Sequence, residues 1–299
     1  MPAPLRCGTV VRVPLPRVSG HFLFPPFLPL PRPPSRSPPS SLALFPRLCC
    51  CRIAGFQSGL VAAALRLSPK MELHAGGDFE KNKQMVRKLQ LYGVAKSKRV
   101  TEVMETVDRG WFVPPGNDPY LDSPMPIGYN ATISAPHMHA TCLELLQQHL
   151  QPGMHALDVG SGTGYLTACF ALMVGSGGRA VGVEHIPELV AISIENIKRS
   201  AAAPLLEQGV LSVHVGDGRE GSPHSAPYDA IHVGASAPEI PAPLVAQLKP
   251  GGRMVIPVGD LFQQLKVVDK RLDGSLSVRT ETSVSYVPLT SRAAQLQDS

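Results

Sequence analysis

Apolar and polar positions are regularly patterned over residues 78–295 and follow no such pattern before them. Over 78–92, Met85, Leu89 and Leu91 recur among Lys and Gln at helical spacing. Val100, Val103, Met104 and Val107 predict a second helix over 97–108. Residues 111–130, rich in Pro, Gly, Asn and Asp, read as one long loop, a length that in a compact domain usually carries function. Pro136 opens a helix over 136–150, which Pro152 and Gly153 stop. Beyond it, short apolar runs at 156–159, 180–183, 211–215, 230–233 and 254–258 predict strands. Helical stretches at 165–174, 187–200 and 241–248 lie between them. Apolar strands joined through helices predict a parallel sheet covered on both faces. The end differs, because 264–269 and 277–287 alternate with period two around Asp273-Gly274, the pattern of an antiparallel hairpin.

Composition marks where the folded part begins. Residues 1–70 hold nine of the 28 basic residues, none of the 23 acidic ones and fourteen of the 31 prolines. Proline at that density sustains neither a helix nor a sheet ladder. An acid-free segment rich in Arg, Ser and Pro has the composition of an organellar transit peptide, for a plastid or mitochondrion. The alternative is a translated leader ahead of Met71. The apolar run at 22–30 is too short and too interrupted by prolines to span a bilayer, so no membrane partner is expected. The chain therefore divides into an unstructured extension, 1–70, and a folded domain, 71–299. The domain carries 19 basic against 23 acidic residues, which argues against a basic nucleic-acid-binding face. It keeps two of the six cysteines, Cys142 and Cys169, isolated in apolar stretches. They read as buried hydrophobes in a reducing, cytoplasmic setting, not as a disulfide or a zinc site.

The chemistry concentrates in Leu157-Asp158-Val159-Gly160-Ser161-Gly162-Thr163-Gly164, which follows a strand and opens a helix. Glycines there allow a sharp turn and close approach of backbone to a ligand. Glu184 ends the next strand, 24 residues after Gly160, where a carboxylate can accept from both hydroxyls of a ribose. Nicotinamide cofactors and S-adenosyl-L-methionine both use this layout. Two details favour the latter: the spacing is Gly-x-Gly-x-Gly, and Asp158, just ahead of Gly160, would repel a diphosphate but attract an ammonium. Asp217 in Gly216-Asp217-Gly218 follows the third strand, at the sheet edge where such ligands sit, as an acceptor for an adenine amino group.

Other stretches are more specific: Tyr120-Leu121-Asp122-Ser123-Pro124, Ala131-Thr132-Ile133-Ser134-Ala135-Pro136-His137-Met138-His139-Ala140, Tyr228-Asp229-Ala230-Ile231-His232-Val233-Gly234-Ala235, Leu248-Lys249-Pro250-Gly251-Gly252-Arg253 and Tyr286-Val287-Pro288-Leu289-Thr290. With the glycine loop and Gly216-Asp217-Gly218-Arg219 they resemble the protein-L-isoaspartate (D-aspartate) O-methyltransferases over about 78–295.

The resemblance implies the Rossmann-like, three-layer fold of class I S-adenosylmethionine methyltransferases, with N-terminal helices and C-terminal antiparallel strands. It implies methyl transfer from S-adenosyl-L-methionine, yielding S-adenosyl-L-homocysteine, to the free carboxyl of L-isoaspartyl and also D-aspartyl residues. The ester then closes to a succinimide, and protein repair follows. Partners would be isoaspartyl-containing proteins and peptides, met by a monomer with an open cleft. The same resemblance puts the catalytic serine at Ser134. It places Ala131, Thr132, Ile133, His139 and His185 along the cofactor, with Thr290 and Gln295 folding back over it.

From the residue types alone, Ser134 has two readings. It is either a ligand for the substrate carboxylate, together with Thr132 and the free amides at the start of the 136–150 helix, or a plain N-cap of that helix. His137 and His139, two residues apart, point to different sides of a helix, so no metal is expected. A carboxylate nucleophile is already ionised at neutral pH, and no general base is needed.

Overall fold

The computed structural model describes residues 77–297. The extension at 1–70, with Cys7, Cys49, Cys50 and Cys51 and its transit-peptide and leader readings, lies outside the described residues.

Helix α1 (Phe79–Leu91) starts where the Asp78 carboxylate accepts the Lys81 N–H, and α2 (Lys98–Thr106) where the Ser97 hydroxyl accepts the Val100 N–H. The second helix is shorter than its apolar spacing suggests. Val107 turns extended, and Asp108 caps a separate single turn, Arg109–Trp111.

The expected long loop contains regular structure. Strands β1 (Met125–Gly128) and β2 (Ala131–Ile133) form an antiparallel hairpin, with Tyr129 and Asn130 both at φ +54° in its turn. Asn is common in that left-handed region and Tyr is not, so the chain shows no ordinary hairpin signal there.

Helix α3 (Pro136–Leu146) gives way to a tighter turn at Gln147–His149 instead of running to 150. The alternating region follows as β3 (His155–Val159), α4 (Tyr165–Val174), β4 (Arg179–Glu184) and α5 (Pro187–Lys198). A short helix with no sequence signal of its own, α6 (Ala203–Glu207), precedes β5 (Leu211–Val215). Then come β6 (Tyr228–Val233), α7 (Ala242–Gln247), β7 (Leu248–Val258), β8 (Gln263–Lys270), β9 (Leu276–Val284) and α8 (Arg292–Gln297). Strand β7 begins earlier than its apolar run, the register against β6 breaking between Tyr228 and Ala230.

The seven-stranded sheet has the order β5-β4-β3-β6-β7-β8-β9, parallel through β7 and antiparallel across β7–β8–β9. Its side chains alternate between two apolar layers. Ala156, Ala180, Ala230 and Val255 join the layer built with α1 to α5, while Leu157, Val181, Ile231 and Met254 join the one holding Leu244 of α7. This is the predicted sheet covered on both faces. Chain order reverses at β3, with β4 on one side and β6 on the other, and the carboxyl ends of those strands bound a crevice.

The glycine loop turns in that crevice, with Gly160, Gly162 and Gly164 at φ +72°, +53° and +91°. Gly164 is also a packing position. A Cβ there would lie 3.1 Å from both Ser193 Cβ and Ile197 Cδ1 of α5. Strained backbone and crowding together predict that Gly164→Ala costs about 1–3 kcal/mol of stability. Urea unfolding measures this, and an unchanged midpoint would contradict it.

Candidate cofactor and substrate site

Glu184 closes the crevice floor. Its buried carboxylate accepts the Gly162 N–H at 3.1 Å and the Ile186 N–H at 3.0 Å, tying the β3–α4 loop to the β4–α5 turn. The cavity above it is walled by Ala131, Thr132, Gly160, Val183, Gly218 and Leu289. The C-terminal segment roofs it, since Thr290 and Gln295 line the same space. Gln295 is pinned on three sides: its Oε1 lies 2.9 Å from His185 Nε2, its amide donates to Tyr129 O, and its own carbonyl accepts from Asn130 Nδ2. His185, Glu184, Thr290 and Gln295 thus line one cavity. Asp217 does not join them. Its two oxygens are held by the backbone and guanidinium of Arg219 at the surface, and only its neighbour Gly218 lines the cavity. Gly164 also lies apart, packed under α5 as described.

A second chamber continues past Gly160 and Gly162, lined by Ile133, Ser134, His139, Asp158, Ser161 and Tyr165 among others. Asp158 stands at its base with both oxygens engaged, one by Thr167 Oγ1 at 2.6 Å and the other by His232 Nδ1 at 2.8 Å. It is therefore half of a buried pair, not the free carboxylate its position suggested. Burial acts to lower the His232 value and is outweighed by the Cys142 thiol and the Asp158 carboxylate, which raise it to about 10. His139 is the opposite case. Burial first, then the Arg109 cation, holds it well below the ordinary His range. Its ring stacks on Tyr165 at 4.8 Å, and Arg109 Nη1 lies 3.1 Å from its Nδ1. Three hydroxyls of residues in this chamber's wall, Ser161 Oγ, Thr163 Oγ1 and Tyr165 Oη, are buried with no hydrogen-bond partner.

Ser134 faces a third space, an open cleft of about 700 Å³ bounded by Pro124, Met138, Ser283 and Tyr286. Thr132 and Gly234 line all three spaces, and Ser134 lines the chamber and the cleft. The N-cap reading of Ser134 fails, because the cap residue of α3 is Ala135, with no side-chain hydrogen bond. The expected free amides at that helix start are not free either. Pro136 has none, Asp122 accepts the His137 N–H at 2.9 Å, and Met138 and His139 donate to Ala135 O. Asp122 also takes His137 Nδ1, which accounts for that histidine without a metal. Among the described residues, no group of three or more His, Cys, Asp or Glu could hold a metal ion, and no helix is long and apolar enough to cross a membrane. Sequence reasoning missed Arg109, Asp122 as a cap, Thr167, and the role of His232. Asp122 and His232 stood inside recognised motifs, while Arg109 and Thr167 stood in none.

A crevice at the strand-order reversal, a glycine loop, a buried carboxylate ending β4 and a parallel sheet closed by antiparallel β8 and β9 make up the fold of a class I S-adenosylmethionine-dependent methyltransferase. The protein-L-isoaspartate (D-aspartate) O-methyltransferase family model matches residues 80–294, and the chain belongs to that family. It is 71% identical over 225 residues to the protein-L-isoaspartate O-methyltransferase of Triticum aestivum, covering 75% of this chain and 98% of that one. It is 68% identical to protein-L-isoaspartate O-methyltransferase 1 of Arabidopsis thaliana, over 73% of this chain and 95% of the relative. A crystal structure of a Plasmodium falciparum protein of this type, in complex with S-adenosyl-L-homocysteine, superposes with a TM-score of 0.65 at 35% identity, over 70% of this chain and 98% of the other.

The His232–Asp158 pair carries a testable sign. With the folded value raised to about 10 from the ordinary 6.5, its stabilisation is complete below pH 6.5 and lost as pH rises through 10. The stability difference between wild type and His232→Asn, measured by urea unfolding, should narrow across that window. A difference that widens with pH would contradict the pairing.

Proposed function

We propose that the chain esterifies the free carboxyl of L-isoaspartyl residues in damaged proteins and peptides, drawing the methyl group from S-adenosyl-L-methionine, and that Ser134 orients that carboxyl. One observation carries this reading: Ser134 lies on the wall shared by the second chamber and the open cleft, so a group it binds stands between them.

The residues fit the cofactor. Glu184 spends two of the roughly four acceptor sites of a carboxylate on backbone amides, which leaves acceptors for ribose hydroxyls. Gly160 and Gly162 admit its chain without Cβ atoms, Ser161 and Thr163 offer unpaired hydroxyls to its amino-acid end, and Val183 and Leu289 offer apolar cover to its base. When bound it supplies a methyl group on a sulfonium, whose leaving group departs as the neutral thioether S-adenosyl-L-homocysteine.

The protein's part is alignment and exclusion of water. A carboxylate is ionised at neutral pH, so no side chain has to remove a proton. Ser134 donates its hydroxyl to one carboxylate oxygen and leaves the other to attack. The Tyr286 phenol beside it is held well above its usual value, by burial first and then the Cys142 thiol, with a hydrogen bond to Ser134 acting the other way. Tyr286 therefore stays neutral and adds no charge that would repel an anion. The Gln295 strap and the β1–β2 hairpin, whose Ile127 lines both chambers, shield the cofactor. The cleft's small residues, Ser283, Ser285 and Gly234, leave room for an extended peptide bound without strict sequence preference.

The same reading takes 71–299 as the working domain, acting as a monomer in the cytoplasm with no nucleic-acid partner. The extension at 1–70 would be an address or leader. The matched span of 80–294 and the near-full coverage of the wheat relative by three quarters of this chain support that division.

Transfer of tritiated methyl to an isoaspartyl peptide tests the assignment of Ser134. Loss of one hydrogen bond to a charged group predicts that Ser134→Ala lowers kcat/KM by about 10- to 100-fold while the protein stays folded. A folded variant with unchanged turnover would remove the role.

A further inference from the structure

Among the described residues Arg109 is the one fully buried arginine, at 0% exposure, and no carboxylate there forms an ion pair with it. Burying a cation without a counter-ion is costly, so its partners matter. All of them are neutral acceptors. Nε donates to Pro119 O at 2.9 Å, Nη2 to Ser134 O at 2.8 Å, and Nη1 meets His139 Nδ1 at 3.1 Å. The backbone N–H of Arg109 is in turn held by Asn82 Oδ1, and the guanidinium lies 5.8 Å from the Tyr165 ring centre.

A guanidinium has donors and no acceptor. The contact at Nδ1 is therefore a hydrogen bond only if His139 Nδ1 carries a lone pair, which puts the ring's single proton on Nε2. A second proton on Nδ1 would set two cations 3.1 Å apart. With Nδ1 committed, Nε2–H is the polar atom the ring has left for the chamber it lines. Stacking on Tyr165 fixes the ring plane, and the Ser134 carbonyl held by Nη2 fixes the backbone that carries the proposed catalytic hydroxyl.

We propose that Arg109 is the positioning residue of this site. It locks His139 as a neutral Nε2–H donor toward the carboxylate of the cofactor's amino-acid end, and at the same time anchors the Ser134 backbone. This rests on the cofactor reading above. The downward-held His139 value agrees with it, as does an Arg109 guanidinium that burial lowers only to about 10 and that stays charged at neutral pH.

The test has a ligand-free arm. Long-range nitrogen-15 NMR of the whole chain should show His139 with an unprotonated Nδ1 and a protonated Nε2, unchanged from pH 5.5 to 8. An Nδ1–H tautomer, or titration in that range, would overturn the proposal whatever the enzyme binds. In the binding arm, calorimetry with S-adenosyl-L-homocysteine should give Arg109→Met an affinity about tenfold weaker than wild type, with Arg109→Lys between them. In a His139→Gln background, whose amide can donate from near the Nε2 position, Arg109→Met should add little further loss. A folded Arg109→Met with wild-type affinity, or losses that simply add, would defeat it. If Arg109→Met does not fold, Arg109→Lys and the wild-type tautomer decide. Failure of the wild type itself to bind S-adenosyl-L-homocysteine would instead remove the cofactor reading.

Discussion

The Glu184 carboxylate is the constraint from which the rest of the site follows. A buried carboxylate is tolerated only when its oxygens find donors, and here two backbone amides supply them, from Gly162 in the glycine loop and Ile186 at the head of α5. That requirement fixes the loop after β3 against the turn after β4, at the point where the sheet's strand order reverses. The three left-handed glycines and the Gly164–α5 contact lie on that loop path, and Gln295 closes over His185 in the adjoining turn. One carboxylate thus ties together the two loops that floor the cavity and supplies acceptors within it.

The inner chamber repeats the logic with the charges reversed. Asp158 is paired with His232 and accepts the Thr167 hydroxyl, so its burial leaves no unpaired carboxylate at the chamber's base. Arg109 is buried behind His139 and Ser134 with neutral partners only. The outcome is a pocket whose fixed charges are one closed ion pair and one enclosed cation, with neutral donors on its surface. Such a wall suits reactants that bring their own opposite charges, a sulfonium and a carboxylate, and lose both in the transfer.

The parallel strands, their helices and the C-terminal hairpin were legible because apolar runs of strand length alternate with amphipathic ones. The glycine loop and Glu184 were legible because backbone geometry there demands particular residue types. Three features were hidden for physical reasons. The β1–β2 hairpin turns through Tyr129, a residue without turn preference, so 111–130 read as loop. The cap of α3 comes from Asp122, a side chain far along the chain, which left Ser134 looking like a local cap. Arg109 and Thr167 act through contacts between elements that no periodicity reports. Asp217 shows the converse, a motif position whose carboxylate is taken by its own neighbour Arg219.

The central claim is that Glu184 and the loop it holds form a site for S-adenosyl-L-methionine and not for a dinucleotide. Calorimetric titration of the whole chain with S-adenosyl-L-homocysteine and, separately, with NAD tests it most directly. One molecule of S-adenosyl-L-homocysteine should bind per chain, NAD should not bind, and Glu184→Gln should weaken the first by about tenfold or more. Binding of NAD, or an undiminished affinity in a folded Glu184→Gln, would contradict the claim.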